Sequence, residues 1–467
     1  MNNEWAQKNG RSRRLNPVTA LTVCGLVAGV ALMARAAGHN HTASSQPMRK
    51  IILMSIDALR ADRLGCYGYK GAETSPTIDA WAKQALLFEH AYAQAPWTVP
   101  SLGSLMSGRD PRETGVYTNI GDIVSPGETL PEQLHRLGYR TAFFNTNPVL
   151  VRPGMNRGFD SVAPPPAGKK IPYTAVEPLL MQWLEQHAQE QFFLWIHDMD
   201  THSPPTEGNP YLTKPGWSRY DAEVRWVDEA VGRLFAKLDA LRIRDQVLFI
   251  FVSDHGEAFG EHILSGHQDV MYDEVLRVPL IVQYPGMARN GRVAEPIQLL
   301  DVNPTVAQLA GLPATLGSRA ESLVPIIANE SAHVTHPYVF SARYYFAADR
   351  IDPKSGKVLF ARGQHHLAVR DREWKLFAKV VGTATKTNEQ PDWNMDAPPA
   401  SYELYDLATD PLEQHDVFQA QPKVAARLEQ ALTDWKRLTS GGPKTTQVTL
   451  DPAAREALRA LGYETAK

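Results

Sequence analysis

The sequence has few cysteines and no concentrated charge, and both absences limit what the protein can be. Two cysteines occur among 467 residues, and the formal net charge is −3 at pH 7. No long basic run appears in the body of the chain, so we expect no nucleic acid among its partners. Hydrophobic residues make up 43% of the sequence, which is ample for one large domain and a smaller one.

The N-terminal residues 1–46 have the composition of an export signal. Three arginines between positions 11 and 14 precede an apolar run over 17–33, and small residues follow. This order is typical of a secretory signal peptide, with an uncleaved membrane anchor as the alternative. We therefore expect an exported protein of the periplasm or cell envelope. Cys24 lies in the apolar run, so removal of the signal would leave Cys66 alone, without an intramolecular disulfide.

Apolar runs alternate with helical patterns over residues 47–331. The runs predict five buried strands, at 51–56, 141–144, 192–196, 247–252 and 279–282. Capped or amphipathic stretches predict helices at 75–87, 129–137 and 220–241. Strands that alternate with helices predict an α/β domain with a mainly parallel sheet flanked by helices. In such sheets, active sites gather at the carboxyl ends of the strands.

The pattern of predicted strands and helices changes after residue 331. Two short strands are predicted at 366–370 and 374–378, a loop follows at 383–400, and helices are predicted at 422–438 and 451–462. This pattern indicates a smaller C-terminal α+β subdomain over residues 332–467.

Acidic and imidazole side chains follow three of the predicted strands. Asp57 comes directly after the first, and Asp254 and His255 end the strand at 247–252. The segment after 192–196 contributes four more candidate ligands, which are His197, Asp198, Asp200 and His202. Any one of these residues could be structural, but three strand ends of this kind together indicate a metal site.

Thr98 lies just before a predicted helix at 102–107, in Ala95-Pro96-Trp97-Thr98-Val99-Pro100-Ser101. The N-terminus of a helix favours an anion, because its N–H groups and dipole point there. Simple N-capping by Thr98 or Ser101 is the alternative interpretation.

Several segments occur in the order found in one known family. They are residues 55–68, 75–79, 97–108, 254–256 and 403–413, and the resemblance that they carry extends over about residues 50–416. They resemble signature segments of the sulfatase family in the alkaline phosphatase superfamily. The resemblance implies an alkaline-phosphatase-like fold, with the catalytic domain at 47–331 and the subdomain at 332–467.

The resemblance also implies a set of site residues. One divalent metal ion would be held by Asp57, Asp254 and His255 and would contact Thr98, the nucleophile. His202 and His267 would face the ester, where they would bind its oxygens or protonate the leaving group. Asn147 lies in the segment where the family carries a substrate-binding lysine and histidine, and is expected to contact the substrate.

Position 98 departs from the family pattern. Sulfatases require cysteine or serine there as the precursor of formylglycine, and the arginine of that signature is Leu102 here. Where the family has a second acidic residue after Asp57, this chain has Ala58. Where the family has a lysine, this chain has His267. A plain threonine nucleophile resembles the phosphodiesterases and the phosphoethanolamine and phosphoglycerol transferases of the same superfamily.

Several functions and cofactors therefore remain open. The first is hydrolysis of a sulfuric or phosphoric ester in a small molecule, glycan or lipid. The alternatives are an envelope transferase of the phosphoethanolamine or phosphoglycerol type, and a non-catalytic binding relative. The metal would be calcium, zinc or manganese. A second metal could be bound by His202 and His267 with Asp198 or Asp200.

Overall fold

The computed structural model of the chain describes residues 47–119, 122–123, 127–165, 170–267, 270–287, 290–313, 319–329, 331, 333–346, 350–351, 358–359, 363–382 and 397–440. The predicted signal or anchor at 1–46, the helix at 451–462 and most of the loop at 383–400 lie outside these residues. Within the described part of the chain, no helix is both long enough and apolar enough to cross a membrane.

A nine-stranded sheet forms the centre of the molecule. Its strands are β1 (Lys50–Ile56), β2 (Leu86–Tyr92), β3 (Arg140–Asn145), β4 (Ser161–Ala163), β5 (Phe192–Asp198), β6 (Val247–Ser253), β7 (Arg277–Gln283), β8 (Gly291–Val293) and β9 (Ile297–Gln298). They lie in the order β4-β3-β5-β1-β6-β7-β2-β8, and β9 also pairs with β2. All pairs are parallel except those of β7, which is antiparallel to both neighbours. The prediction of a mainly parallel sheet is confirmed.

The register of the central strands brings their carboxyl ends to one edge. Ile56 of β1 pairs with Asp198 of β5 on one side and with Ser253 of β6 on the other. Asn145 of β3 pairs with His197. The residues that follow these four strands therefore meet at a single edge of the sheet.

Helices flank this sheet. The longer ones are α1 (Pro76–Ala82), α2 (Thr98–Ser107), α4 (Leu130–Arg136), α5 (Tyr173–His187), α6 (Arg219–Ala240) and α8 (Val302–Leu309); α3 (Pro111–Thr114), α7 (Asp273–Leu276) and α9 (Val324–Ile327) are short. Trp81 of α1 packs edge-on against Phe249 of β6 and Phe235 of α6, with ring centroids 5.2 and 5.6 Å apart. Burial of such apolar side chains between helix and sheet stabilises this layer.

The predicted helix at 75–87 extends too far. In the structure α1 ends at Ala82 and β2 begins at Leu86. Leu86, Leu87 and Phe88 are buried and pair with β7, where Leu87 lies opposite Ile281. A short apolar run fits either a helix or a buried strand, and here sheet pairing decides.

The C-terminal part of the chain forms a smaller antiparallel sheet. Four strands lie in the order β10 (Val339–Phe346), β13 (Gly363–Arg370), β14 (Trp374–Gly382) and β15 (Ser401–Asp406), and β11 (Arg350–Ile351) pairs with β12 (Val358–Leu359). Helix α10 (Pro422–Leu438) buries Leu428, Leu432 and Trp435 in a core shared with β13 and β14. The predicted α+β subdomain is confirmed, whereas the domain boundaries remain a prediction.

Candidate active site

Two buried carboxylates face each other at the ends of β1 and β6. Asp57 follows β1, and the next residue, Ala58, has a φ of 58° in the left-handed region. The backbone N–H of Ala58 donates to Asp254 Oδ1 at 3.1 Å, so the turn after β1 is fixed to the carboxylate that follows β6. A strained backbone of this kind is often found at functional sites.

Each carboxylate has one satisfied oxygen and one without a partner. Asp57 Oδ2 accepts from Asn147 Nδ2 at 2.5 Å and lies 3.3 Å from His197 Nε2. Asp254 Oδ1 accepts from the N–H groups of Ala58 and His255, at 3.1 and 2.9 Å. Asp57 Oδ1 and Asp254 Oδ2 are buried without a hydrogen-bond partner. Since an unpaired buried carboxylate oxygen is costly, these two atoms fit a bound cation.

His255 presents its Nε2 to the same two oxygens. Its Nδ1 donates to Gly256 O at 2.9 Å, which leaves the lone pair on Nε2. Nε2 lies 3.6 Å from Asp57 Oδ1, 3.5 Å from Asp254 Oδ2 and 3.4 Å from Thr98 Oγ1. Neighbouring ligands of a tetrahedral zinc ion with bonds of about 2.1 Å are roughly 3.4 Å apart. His255 Nε2 is therefore at about this spacing from one atom of each of the other predicted ligands, Asp57, Asp254 and Thr98.

His197 is a further ligand candidate, which the predicted set did not include. Asp57, His197 and Asp254 each offer a ligand atom, and these atoms all lie within 4.8 Å of one another. His197 is fully buried on β5, and its Nδ1 lies 2.8 Å from Ser55 Oγ. Its position in the run His197-Asp198-Met199-Asp200-Thr201-His202, directly after a predicted strand, was the available signal.

The surroundings of the two carboxylates shift their pKa values in opposite directions. Burial raises the pKa of Asp254 well above its ordinary value, and the negative charge of Asp57 adds to this shift. Burial would also raise the pKa of Asp57, but the neighbouring histidines, His202 foremost, hold that pKa below its ordinary value. Ionisation of both groups is therefore unfavourable in the protein alone, and a divalent cation beside them would favour it.

Thr98 is the first residue of α2 and is fully buried. Ser101, one turn along, donates through Oγ to Asp254 O at 2.6 Å, which joins the helix to the loop after β6. Val99 N–H donates to Asn119 Oδ1 at 2.9 Å, while Asn119 Nδ2 is buried without a partner. A fixed amide donor beside the start of α2 suits an anionic oxygen, and sequence reasoning missed this residue.

His202 and His267 lie beside His255. The His267 ring stacks on the His255 ring, with centroids 4.1 Å apart. The His202 ring meets the His267 ring edge-on, with centroids 5.5 Å apart. Each Nδ1 donates to a backbone carbonyl at 2.6 Å, from Ser203 for His202 and from Pro96 for His267. Burial lowers the pKa of both rings, and the neighbouring imidazoles of His255 and His202 lower that of His267 further. The neutral rings therefore carry their lone pairs on Nε2.

The remaining candidates take other positions. Asn147 donates to Asp57 and accepts from Val149 N, so it supports a ligand, and its predicted contact with substrate remains a prediction. Asp198 Oδ1 accepts from the backbone N–H of Asp200, and the carboxylate of Asp200 accepts from the backbone N–H of Tyr173. Within the described part of the chain, only Asp57, His197 and Asp254 form a group of three such side chains whose ligand atoms all lie within 4.8 Å of one another, so the second metal set is not brought together there.

Comparison with known proteins identifies the family. The fold and the polar strand ends define an α/β ester hydrolase. The sequence model of the sulfatase family matches residues 49–312, and that of the N-sulphoglucosamine sulphohydrolase C-terminal region matches residues 260–438. The first match covers more than half of the chain, which therefore belongs to the sulfatase family.

Relatives and solved structures agree with this assignment. N-acetylgalactosamine-6-sulfatase from Canis lupus familiaris is 28% identical over 360 residues, which are 63% of this chain and 68% of that protein. The chain spans about two thirds of the length of the curated relatives it matches.

Two solved structures show the same fold. One is a protein in complex with its substrate D-glucosamine-2-N,6-O-disulfate, with a TM-score of 0.65 and 19% identity over 85% of this chain and 98% of that one. The other is the phosphonate monoester hydrolase of Agrobacterium radiobacter, with a TM-score of 0.65 and 17% identity over 84% and 96%. At these identities the likeness shows the fold alone, and it confirms the predicted alkaline-phosphatase-like class.

Proposed function

We propose that this chain is a metal-dependent hydrolase of phosphoric or sulfuric esters in which Thr98 is the nucleophile, and that phosphoric esters are preferred. One observation carries the proposal. The two carboxylate oxygens without partners, Asp57 Oδ1 and Asp254 Oδ2, face the lone pair of His255 Nε2, which also lies 3.4 Å from Thr98 Oγ1. The nucleophile thus lies at the edge of a cation site.

The residues present fit a divalent cation. Asp57, Asp254 and His255 would hold it with Thr98, and His197 Nε2 lies 3.3 Å from Asp57 Oδ2. A nitrogen ligand among few carboxylates favours zinc or manganese over calcium. When bound, the ion would supply Lewis acidity and would favour the alkoxide of Thr98.

The chain's own groups account for the remaining chemistry. Thr98 Oγ1 would attack phosphorus, so that a bond to Oγ1 forms as the bond to the leaving oxygen breaks. Asn119 Nδ2 would donate to an ester oxygen at the start of α2, where the helix dipole also favours negative charge. The lone pair on Nε2 of His202 or His267 would first accept the proton that Thr98 Oγ1 releases, and the same nitrogen would then give that proton to the leaving oxygen. Attack by water on the phospho-threonine would then restore Thr98.

The identity of residue 98 favours phosphorus over sulfur. A phospho-threonine can be released by a second in-line attack, whereas a sulfo-threonine lacks the formylglycine route, in which the aldehyde hydrate expels sulfate by carbon–oxygen cleavage. Family membership and the relative named above support sulfate esters, so slow sulfatase activity is the second candidate. The substrate would be a sulfated or phosphorylated small molecule or glycan, encountered outside the cytoplasm if residues 1–46 direct export.

The proposal is tested by replacing the nucleophile. Turnover of an aryl phosphate, an aryl phosphodiester and an aryl sulfate is measured with zinc, manganese and calcium. We expect Thr98→Ala to lower kcat by at least about 1000-fold, and Thr98→Ser, which keeps the hydroxyl, to retain activity within about tenfold.

Metal analysis accompanies the assay. We expect bound divalent ion in the wild-type protein and its loss in Asp254→Ala, because that change removes a ligand. Undiminished turnover by Thr98→Ala, or full activity of a metal-free preparation, would show that the mechanism is wrong.

A further inference from the structure

A cavity of about 300 Å³ opens beside His202 and His267. Its wall also includes Tyr220, Phe259 and Glu257. Because the two histidines are placed to face the ester, the alcohol that leaves from an ester at Thr98 would enter this cavity. Its volume is at the lower end of small-molecule sites and suits a group of monosaccharide size.

Glu257 contributes a buried acceptor to this cavity. The side chain lines the cavity and is only 8% exposed. Its Oε1, however, has no hydrogen-bond partner. A carboxylate oxygen in this condition is costly unless a donor reaches it, and the adjoining cavity is where a donor could enter.

The second carboxylate of the cavity differs in this respect. Glu223 Oε1 accepts from Thr206 N–H at 2.6 Å, and its Oε2 accepts from Asn209 Nδ2 at 2.9 Å. Both carboxylate oxygens of Glu223 therefore have donors, and these two hydrogen bonds hold the loop before α6. The contrast between the two carboxylates makes Glu257, and not the acidity of the cavity in general, the group to which a ligand donor would bind.

We propose that Glu257 determines specificity by accepting a hydrogen bond from a hydroxyl or ammonium group on the leaving alcohol. The inference rests on the proposed function and adds a substrate class to it. Esters of sugars, polyols or amino alcohols are bound in preference to esters of plain phenols. A site with a buried polar group discriminates strongly against a ligand that leaves that group unpaired.

The test measures binding without turnover. Dissociation constants for phenyl phosphate, glucose 6-phosphate and glucosamine 6-phosphate are determined by calorimetry in three metal-loaded proteins: Thr98→Ala, Thr98→Ala with Glu257→Gln, and Thr98→Ala with Glu223→Gln. We expect Glu257→Gln to weaken one or both sugar phosphates by about 10- to 100-fold, as for a hydrogen bond to a charged group. Phenyl phosphate should weaken by less than about threefold.

The probes and variants separate the possible outcomes. Equal losses for both sugar phosphates assign the donor to a hydroxyl, and a loss confined to glucosamine 6-phosphate assigns it to the ammonium. Glu223→Gln should change all three affinities by a similar factor. Equal weakening of all three probes by Glu257→Gln, or no weakening, overturns the proposal.

Two features keep the result independent of folding and of the reaction. Binding of phenyl phosphate shows that the site is folded. If the Glu257→Gln protein no longer binds phenyl phosphate, Glu257→Asp, which keeps the negative charge on a shorter side chain, is compared in the same way. If the wild-type protein hydrolyses none of the probes while Glu257→Gln still weakens the sugar phosphates selectively, the proposed function alone is refuted, because these affinities are measured in proteins that lack the nucleophile.

Discussion

A single imidazole, His197, connects the core of the sheet to the proposed cation site. Its Nδ1 lies 2.8 Å from Ser55 Oγ, which accepts a hydrogen bond from Trp195 Nε1 at 2.9 Å. Its Nε2 lies 3.3 Å from Asp57 Oδ2. Groups that orient a metal-binding carboxylate in this way contribute substantially to metal affinity, even where they do not contact the ion.

Replacement of His197 should therefore weaken metal binding. We expect His197→Ala to reduce divalent-metal affinity by about 10- to 100-fold, measured by competition with a chromophoric chelator. His187→Ala is the matched control, because His187 ends helix α5 and its Nδ1 contacts Glu190 instead of the carboxylate pair. Equal affinities for His197→Ala and the wild type would refute a role for His197 at this site.

At the residue scale, the sequence predicted the centre of the site better than its surroundings. Asp57, Asp254 and His255 directly follow strands, so the fold class alone predicted that they would lie close together. Asn119 carries no such signal. It lies in an irregular segment 21 residues after Thr98, and only the path of the chain between α3 and α4 brings it to the start of α2.

Residues 256–267, which include Glu257 and His267, and residues 270–276 contact the C-terminal part of the chain. His262 Nε2 lies 3.1 Å from Glu413 O. Asp273 binds Lys375 Nζ at 2.7 Å and Arg370 at 2.9 Å. The smaller subdomain therefore helps to hold one wall of the candidate active site.

Removal of the buried lysine in this contact should be costly. Lys375 is 1% exposed and lies between Asp273 and Glu413, so Lys375→Met would leave the buried Glu413 without its cation and Asp273 with Arg370 alone. We expect a loss of about 3–5 kcal/mol in the free energy of unfolding, measured by urea denaturation. Lys379→Met, which breaks a largely exposed pair with Glu403, should cost less than about 1 kcal/mol. A similar cost for both variants would contradict the importance of the buried contact.

Elements with a continuous apolar run were predictable, and those with mixed signals were not. The runs at β1, β5 and β6 were predicted as buried strands, and the structure has strands there. Helix α2 was predicted to begin at residue 102, but the structure starts it at Thr98 and includes Pro100 in its first turn. Proline is tolerated in the first turn of a helix, where its missing N–H would have no intrahelical partner.

Over the whole molecule, the main sheet and the C-terminal part are joined by polar contacts with a pH dependence of their own. Asp301, before α8, is fully buried and accepts from Gln298 N–H and from Glu321 N–H. His336, three residues before β10, lies with its Nε2 3.1 Å from Asp301 Oδ2. A charged histidine there would connect the two parts of the fold by an ion pair that lies far from the candidate metal ligands.

This contact should stabilise the protein more at low pH. Burial alone would lower the pKa of His336, but its hydrogen bond to Asp301 and the charge of that carboxylate raise the pKa above the ordinary value. Since the folded state binds the proton more tightly, the stabilisation is complete below the unfolded-state pKa of about 6.5. It is lost as the pH rises through the higher folded-state pKa. His336→Gln should therefore lower the urea midpoint more at pH 6 than at pH 9. His333→Gln, which alters a surface pair with Glu295, should have little effect at either pH, and an equal loss at both pH values for His336→Gln would show that its contribution does not depend on protonation.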